Sequence, residues 1–174
     1  MNNIRILDYR DEHQPQFEKL NRTWIEKFFE MEESDINVLT KPREYILDKG
    51  GAILMATFDG AIAGTVALKK INDETYEFTK MAVDENYRRR GIAEQLSYAS
   101  FIKAKELGAK GVILYSNSIL KGAILLYEKL GFIHVPVINS GYKRSDVKME
   151  ISADEAVDRA EKFFADSINH STIK

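Results

Sequence analysis

The chain has 174 residues, 44% of them apolar, and carries 25 Lys and Arg against 27 Asp and Glu. This length predicts one globular domain with a full hydrophobic core, and the formal net charge of -2 excludes a global positive field that would attract nucleic acid or anionic lipid. Because the chain has no cysteine, disulfides, a thiolate nucleophile and Cys-ligated zinc are excluded as well.

The first predicted elements are a strand and two helices. Residues 4 to 9 (IRILDY) predict a short strand, and residues 13 to 31 place apolar side chains at steps of three and four, the period of an amphipathic helix. Thr40 and Pro42 fit the cap and the first turn of a second helix over residues 42 to 49. We therefore expect one strand to be followed by two helices.

A hairpin is the next predicted feature. Asp59 and Gly60 separate strand-like residues 52 to 58 from residues 61 to 68, and an Asp-Gly pair readily adopts the positive φ angles of a tight turn. Residues 75 to 83 (TYEFTKMAV) are rich in aromatic and β-branched side chains and predict a fourth strand. We expect this fourth strand to lie at the centre of the sheet.

The second half of the chain alternates helices and strands. Helices are predicted over residues 92 to 107 and 120 to 130, on either side of a short apolar strand at 111 to 116. Residues 132 to 137 and 141 to 152 predict two more strands. The complete pattern indicates an α/β (α+β) fold in which a mixed sheet carries helices on both faces.

The sequence also predicts where this domain ends. We place the domain at residues 1 to 151, and residues 152 to 174 as a C-terminal appendage. Ser152 and Glu155 form a capping box, and Phe163 lies on the apolar face of the amphipathic helix that follows. This helix either packs on its own sheet or meets a second subunit in a homodimer.

The loop between the fourth strand and the helix at residue 92 has the composition of an anion site. Backbone N–H groups at a helix start lack intrahelical partners, and the helix dipole adds positive charge there, which suits phosphate. Gly91 and Ala93 keep the approach to the backbone open, and Arg88, Arg89 and Arg90 add charge. The same residues also fit a solvated basic loop. Neither G-x-x-x-x-G-K-[ST] nor a strand-linked G-x-G-x-x-G occurs, which disfavours nucleotide-binding folds of those classes.

Two motifs in the second half carry a family resemblance. The sequence RxxGxA at residues 88 to 93 resembles the Q/R-x-x-G-x-G/A motif of the GNAT family, the acetyl-CoA-dependent N-acetyltransferases. LYSN at residues 114 to 117, followed by AxxLYEKLGF at residues 123 to 132, is similar to the next strand and helix of that family. The resemblance covers about residues 4 to 151. It implies a mixed, mostly antiparallel central sheet of about seven strands, with the C-terminal helix lying outside the family core.

The resemblance implies a cofactor and a place for it. Acetyl-CoA would pair its pantetheine arm with the end of the fourth strand, which splays from the fifth, and would rest its diphosphate on the amides at the helix start. The residues that the resemblance assigns to cofactor binding are Met81, Ala82, Val83, Arg88, Arg89, Arg90, Gly91, Ile92, Ala93, Glu94, Asn117, Ala123 and Tyr127.

The resemblance also implies two catalytic residues. Tyr127 matches the usual general acid, which protonates the leaving thiolate, and Glu77 aligns with a carboxylate that some members use as the base. Strand alternation predicts that Glu77 shares a face with Met81, with Lys80 on the opposite face. From the pattern alone, Glu77 also fits an ion-paired or surface carboxylate, and Tyr127 also fits a core tyrosine on the apolar stripe of its helix.

The resemblance also implies an acceptor groove built from the first helices and the last strands. Trp24, Phe28, Tyr142 and Arg144 are the predicted substrate-binding wall residues, although helical spacing also fits core packing of Trp24 and Phe28. The acidic residues 26 to 35 suit either a rim that attracts a cationic amine or a solvated helix end.

The function predicted from the sequence is direct transfer of acetyl from acetyl-CoA to a primary amine of a small molecule or peptide, in a ternary complex. A catalytically weak coenzyme A-binding sensor or regulatory module is the alternative. We expect no nucleic-acid partner, since the arginine cluster lacks an evident aromatic stacking platform. Without a signal-peptide pattern, a long apolar run or paired histidines, we also expect a cytoplasmic protein that uses neither a membrane nor a metal.

Overall fold

The computed structural model describes residues 3 to 171. Its strands are β1 (Ile4–Asp8), β2 (Ala52–Phe58), β3 (Ala61–Lys70), β4 (Thr75–Val83), β5 (Gly111–Ser116), β6 (Ile133–Val135) and β7 (Val147–Ser152). Its helices are α1 (Gln14–Phe28), α2 (Glu33–Thr40), α3 (Ile92–Glu106), α4 (Lys121–Leu130) and α5 (Ala153–Ser171). Single 3₁₀ turns at Asp11–His13 and Glu85–Tyr87 and a π-helical turn at Arg43–Leu47 complete the regular structure.

The seven strands form one sheet in the order β1-β2-β3-β4-β5-β7-β6. Neighbouring strands are antiparallel except β4 and β5, which are parallel. This arrangement confirms the predicted mixed, mostly antiparallel sheet. Residues 75 to 77 of β4 pair with residues 111 to 113 of β5, and in the described chain their pairing stops there. The carboxyl-terminal parts of the two strands therefore separate and leave a cleft in the middle of the sheet.

Helices cover both faces of the sheet, as predicted. On one face α3 and α5 bury a cluster that includes Phe78, Leu96 and Phe101. On the other face α1 and α2 bury a second cluster that includes Phe17 and Leu39. Each fully buried side chain of this size contributes roughly 1.5–3 kcal/mol of hydrophobic free energy. Because both faces are packed in this way, the cleft between β4 and β5 has rigid walls.

Helix α5 belongs to the first of these clusters. Ser152 Oγ accepts the backbone N–H of Glu155 at 3.2 Å, as in the predicted cap, and the ring of Phe163 stacks on Tyr98 of α3 with centroids 4.5 Å apart. Of the two predicted uses of this helix, packing on its own domain is therefore the one seen in this chain. No helix within residues 3 to 171 is both long enough and apolar enough to cross a membrane.

The region after α1 differs from the prediction. The helix predicted to residue 31 ends at Phe28, and a separate helix, α2, follows, whose start is capped by the side chains of Glu32 and Asp35. Thr40, predicted as the cap of the next helix, instead ends α2, where its hydroxyl donates to the carbonyl of Ile36. The helix predicted over residues 42 to 49 is therefore reduced to the short π-helical turn.

The last two predicted strands are shorter than expected. Strand β7 begins at Val147, and the preceding residues 141 to 146 form a loop. Asp146 holds this loop by accepting hydrogen bonds from the hydroxyl and the N–H of Ser118, at 2.6 and 2.8 Å. Asn117 Nδ2 adds a hydrogen bond to the carbonyl of Arg144 at 2.6 Å. The loop is thereby fastened against the end of β5, beside the cleft.

A bulge in β4 overturns the predicted alternation of its side chains. Thr79 and Ala82 pair with Ala67 and Thr65, so two residues of β4 stand opposite one residue of β3. Lys80 lies in this bulge with a φ of +54°, which is uncommon for a residue other than glycine. As a result the Lys80 side chain reaches α2 on the Glu77 side of the sheet, whereas Met81 packs with the α3 cluster. The expectation that Glu77 and Met81 share a face is wrong.

Candidate functional site

A groove of about 620 Å³ opens where β4 and β5 separate. Its floor is formed by the end of β4, and its walls come from α1, the start of α3, α4 and the loop before β7. The volume lies within the ~300–1,000 Å³ that small-molecule sites usually have. The groove has a basic end at the start of α3 and an aromatic end beside α1.

The basic end has the features of an anion site. Gly91 is the N-cap of α3, with a φ of +80° and no side-chain cap, and a Cβ placed on it would meet no atom within 4 Å. The ladder of α3 begins with the N–H of Gln95, which donates to the carbonyl of Gly91 at 3.1 Å. The N–H groups of residues 92 to 94 precede that bond, and none of them donates to another group within residues 3 to 171. The three amides are therefore available to a phosphate.

The arginines around this helix start have different roles. All three are exposed, and Arg88 lines the groove. The guanidinium of Arg90 lies over the ring of Phe58, 4.7 Å from its centroid. Glu94, also predicted at the cofactor, directs its carboxylate to Lys129 of α4. The structure thus brings Arg88 to the groove, whereas Arg89 and Arg90 are not among the residues that line it.

The end of β4 supplies the predicted strand edge. Met81, Ala82 and Val83 line the groove, as does Ala123 across from them on α4. Asn117 also lines the groove, but its side chain is engaged within the protein: Nδ2 donates to Arg144 and Oδ1 accepts the N–H of Ile119 at 2.9 Å. This amide therefore holds the loop before β7.

Tyr127 lies on the groove wall. Its ring meets Phe78 and Phe132 edge-on, at centroid distances of 5.8 and 6.2 Å. Burial raises the pKa of the Tyr127 phenol to about 12. Since a phenol is protonated at neutral pH even at its ordinary pKa near 10, the hydroxyl can act as a proton donor beside the groove.

Glu77 is placed differently from Tyr127. Glu77 is 4% exposed, and it is not among the residues that line the groove. Its Oε2 accepts a hydrogen bond from the hydroxyl of Tyr142 at 3.0 Å. The carboxylate therefore lies one side chain behind the wall.

The aromatic end brings together the four predicted acceptor-wall residues. Trp24, Phe28, Tyr142 and Arg144 all line the groove. The Arg144 guanidinium lies over the rings of Trp24, Phe29 and Tyr142, with centroid distances of 5.9, 5.8 and 5.1 Å. Since Phe28 is 46% exposed, core packing does not account for it. Phe29, which sequence reasoning did not select, belongs to the same wall.

An ion cluster behind this wall was not predicted. Asp35 of α2 is buried and accepts hydrogen bonds from Lys80 Nζ at 2.8 Å and from the two terminal nitrogens of Arg144 at 2.6 and 2.9 Å. Arg144 also donates to Glu32 at 3.1 Å. Although burial opposes ionisation, the hydrogen bonds from Arg144 and the charge of Lys80 hold the pKa of Asp35 well below its usual range.

This cluster weakens the case for an acidic acceptor rim. Glu32 and Asp35 belong to the acidic segment at residues 26 to 35, and the structure turns both carboxylates inward onto cations. Their charges are therefore compensated within the protein. A lysine within a strand that is otherwise largely apolar was the signal that could have indicated a buried partner for Lys80.

The anion site makes a specific prediction. Replacing Gly91 by alanine places a Cβ in the space above the free amides and adds a positive-φ penalty of roughly 1–2 kcal/mol. We expect the affinity for coenzyme A to fall about tenfold or more, measured by calorimetric titration. Gly108→Ala is the matched control, because Gly108 has a φ of +91°, is equally open, and follows the opposite end of the same helix. Equal affinities of the two variants would contradict the assignment.

Comparison with known proteins agrees with this geometry. The sequence model described as "Acetyltransferase (GNAT) family" matches residues 7–132. The human N-acetylaspartate synthetase is 30% identical over 118 residues, which cover 67% of this chain and 37% of that protein. The chain spans about a third of the length of the first curated relatives that it matches.

Solved structures show the same fold. A GNAT-family acetyltransferase from Staphylococcus aureus superposes with a TM-score of 0.79 at 18% identity, covering 87% of this chain and 99% of that one. A spermidine N-acetyltransferase from Vibrio cholerae, solved with CoA and spermine, superposes with a TM-score of 0.69 at 19% identity, covering 88% and 98%. Taken with the match of the family model over residues 7–132, these findings show that the chain belongs to the GNAT acetyltransferase family.

Proposed function

We propose that this chain is an N-acetyltransferase that transfers acetyl from acetyl-CoA directly to a primary amine of a small molecule or a peptide, in a ternary complex. The observation that carries the proposal is one continuous groove. At one end are the unpaired helix-start amides of residues 92 to 94, of which Ala93 lines the groove; Tyr127 lies on the wall, and an aromatic acceptor wall forms the other end.

The residues of the groove fit coenzyme A. The open N-cap and the three free amides suit a diphosphate, and Arg88 adds a positive charge beside them. The separated edge of β4, at residues 81 to 83, offers backbone groups to the amides of a pantetheine arm. When bound, acetyl-CoA supplies an acetyl group activated as a thioester.

The chain's own residues would then accept and donate the protons of the reaction. An alkyl ammonium with an ordinary pKa near 10.4 must lose a proton before its nitrogen can attack. Tyr127 is protonated and can neutralise the departing thiolate. Because the chain has no cysteine, an acyl-cysteine intermediate is excluded, which supports direct transfer.

The acceptor end gives a limited indication of substrate charge. Lys19, Lys80 and Arg144 line this part of the groove, while the carboxylates of Asp35 and Glu32 are engaged by cations. Because these two carboxylates are paired with Lys80 and Arg144, neither is free to bind a polycationic acceptor such as the spermine of the Vibrio cholerae complex. An acceptor that carries a carboxylate beside its amine, as the name of the human relative indicates for that protein, is compatible with this arrangement.

A panel of amines tests the proposal. Amino acids, short peptides, polyamines and aromatic amines are incubated with acetyl-CoA and the chain, thiol release is followed, and acetylated products are identified by mass spectrometry. We expect turnover with at least one primary amine that exceeds hydrolysis of acetyl-CoA. If coenzyme A binds in calorimetry but no amine is acetylated, the chain is the alternative, a coenzyme A-binding sensor with little catalysis.

A further inference from the structure

A hydrogen bond connects the groove wall to a carboxylate that does not reach the groove. Tyr142 lines the groove, and its hydroxyl donates to Glu77 Oε2 at 3.0 Å. Glu77 is 4% exposed and lies behind this phenol. An amine that contacts the Tyr142 hydroxyl from the groove would therefore be linked to Glu77 by this hydrogen bond.

Tyr142 is held firmly in this position. Lys80 Nζ lies 5.0 Å from the centroid of its ring, and the Arg144 guanidinium lies 5.1 Å away. Ser140 Oγ donates to the carbonyl of Tyr142 at 2.6 Å, and the ring of Tyr115 lies beside it at 6.3 Å. The phenol is thus fixed between the groove and the carboxylate.

We propose that Tyr142 is a catalytic residue that relays the proton of the acceptor ammonium to Glu77. This inference rests on the proposed acetyltransferase function. In a single concerted step, the ammonium gives one proton to Tyr142 Oη while the original phenolic proton passes to Glu77 Oε2. The amine becomes neutral, Tyr142 remains a phenol and Glu77 becomes a carboxylic acid.

The remaining protons balance. The neutral nitrogen uses its lone pair for the new C–N bond, and the electrons of the broken C–S bond stay on sulfur. Tyr127 donates its proton to that sulfur and then takes a proton from the nitrogen, which leaves the neutral amide product. Glu77 returns its proton to solvent through Tyr142 after product release, so one proton is released per turnover.

The electrostatic surroundings suit a concerted relay. Burial, together with the negative charge of Glu77, raises the pKa of the Tyr142 phenol far above its ordinary value, so no tyrosinate accumulates at neutral pH. The other charged groups that face this phenol are Lys80 on β4, Asp35 on α2 and Arg144 on the same loop as Tyr142. Together with Glu77, these groups set the electrostatic environment in which the relay responds to pH.

The kinetic test uses Tyr142→Phe, Glu77→Gln and the double variant, with an amine identified by the panel. We expect each single variant to lose about 10²- to 10³-fold in kcat, with the coenzyme A affinity unchanged. The double variant should lose no more than the worse single variant, because both substitutions interrupt the same path. The loss of kcat in the variants, relative to the wild type, should become smaller as the pH approaches the pKa of the acceptor amine, because more of the amine is then already neutral.

Two matched controls accompany these variants. Tyr76→Phe removes a different buried phenol, which lies on β4 and donates to the backbone carbonyls of Gly50 and Leu107. Glu74→Gln removes an exposed carboxylate that pairs with Lys110. Both controls should keep wild-type turnover.

A measurement without cofactor or substrate tests the hydrogen bond itself. In urea unfolding of the free chain, the stability losses of Tyr142→Phe and Glu77→Gln should be less than additive in the double variant. The relay is overturned if the unfolding losses of the two single variants add in the double variant, if their kcat losses multiply there, or if Tyr142→Phe keeps wild-type turnover. In each of these cases, acetyl transfer by the wild type would still support the proposed function. If the wild type acetylates no amine, the proposed function and the relay both fail.

Discussion

Tyr127→Phe is expected to lower turnover by about 10²- to 10⁴-fold and to leave the affinity for coenzyme A nearly unchanged. The substitution removes one hydroxyl, whose pKa is raised by burial. The ring contacts with Phe78 and Phe132 are retained, so the wall of the groove keeps its shape. The loss should therefore appear in kcat, measured by steady-state kinetics, with coenzyme A binding measured separately by calorimetry.

Tyr98→Phe provides the control for this result. Tyr98 is a buried tyrosine of α3 that stacks on Phe163 and does not line the groove, and it should keep full turnover. Wild-type activity of Tyr127→Phe would remove the phenol from catalysis. A parallel loss of coenzyme A affinity and activity would instead assign it a binding role.

Asp35→Asn is expected to lower the free energy of unfolding by about 3–5 kcal/mol, measured by urea denaturation. Asn keeps the shape of the side chain, but it removes the negative charge that Lys80 and Arg144 share. The Lys80 side chain is 2% exposed, so water cannot replace its lost partner, whereas Arg144, at 13% exposed, keeps its ion pair with Glu32. Two cations would then remain close together behind the acceptor wall.

A surface pair of the same kind sets the scale for this loss. Asp73 is 94% exposed and pairs with Lys70, so Asp73→Asn should cost at most about 1 kcal/mol. The pKa of Asp35 is lowered in the folded chain, so its contribution is present above the unfolded pKa of about 3.9 and is lost as the pH falls below it. Asp35→Asn should abolish that part of the acid sensitivity. If both variants lose the same small amount, the buried cluster does not stabilise the fold.

The elements with a clear period were predictable from the sequence. Apolar spacing and turn residues located most helices and strands, because a sheet with helices on both faces imposes those patterns directly. The start of α3 was also predictable, because Gly91 marks the boundary between loop and helix, although the arginines beside it fitted a solvated basic loop equally well. In both cases the physical cause lies within a short stretch of chain.

The parts that the sequence did not reveal depend on distant partners. The bulge at Lys80 requires a positive φ at a residue type that rarely adopts one, and Asp35 stabilises it from 45 residues away. The hydrogen bond between Tyr142 and Glu77 joins residues 65 positions apart. Helix α2 was missed because its acidic residues resemble a solvated helix end, although Asp35 faces inward.

We propose that the free amides at the start of α3 hold the diphosphate of coenzyme A. Amide chemical shifts of the ¹⁵N-labelled chain, followed during titration with coenzyme A, report on this contact. We expect the largest shift changes at residues 91 to 94, and we expect Gly91→Ala to reduce them at equal ligand concentration while Gly108→Ala does not. Saturable binding that leaves residues 91 to 94 unperturbed, or no binding by the wild type, would contradict it.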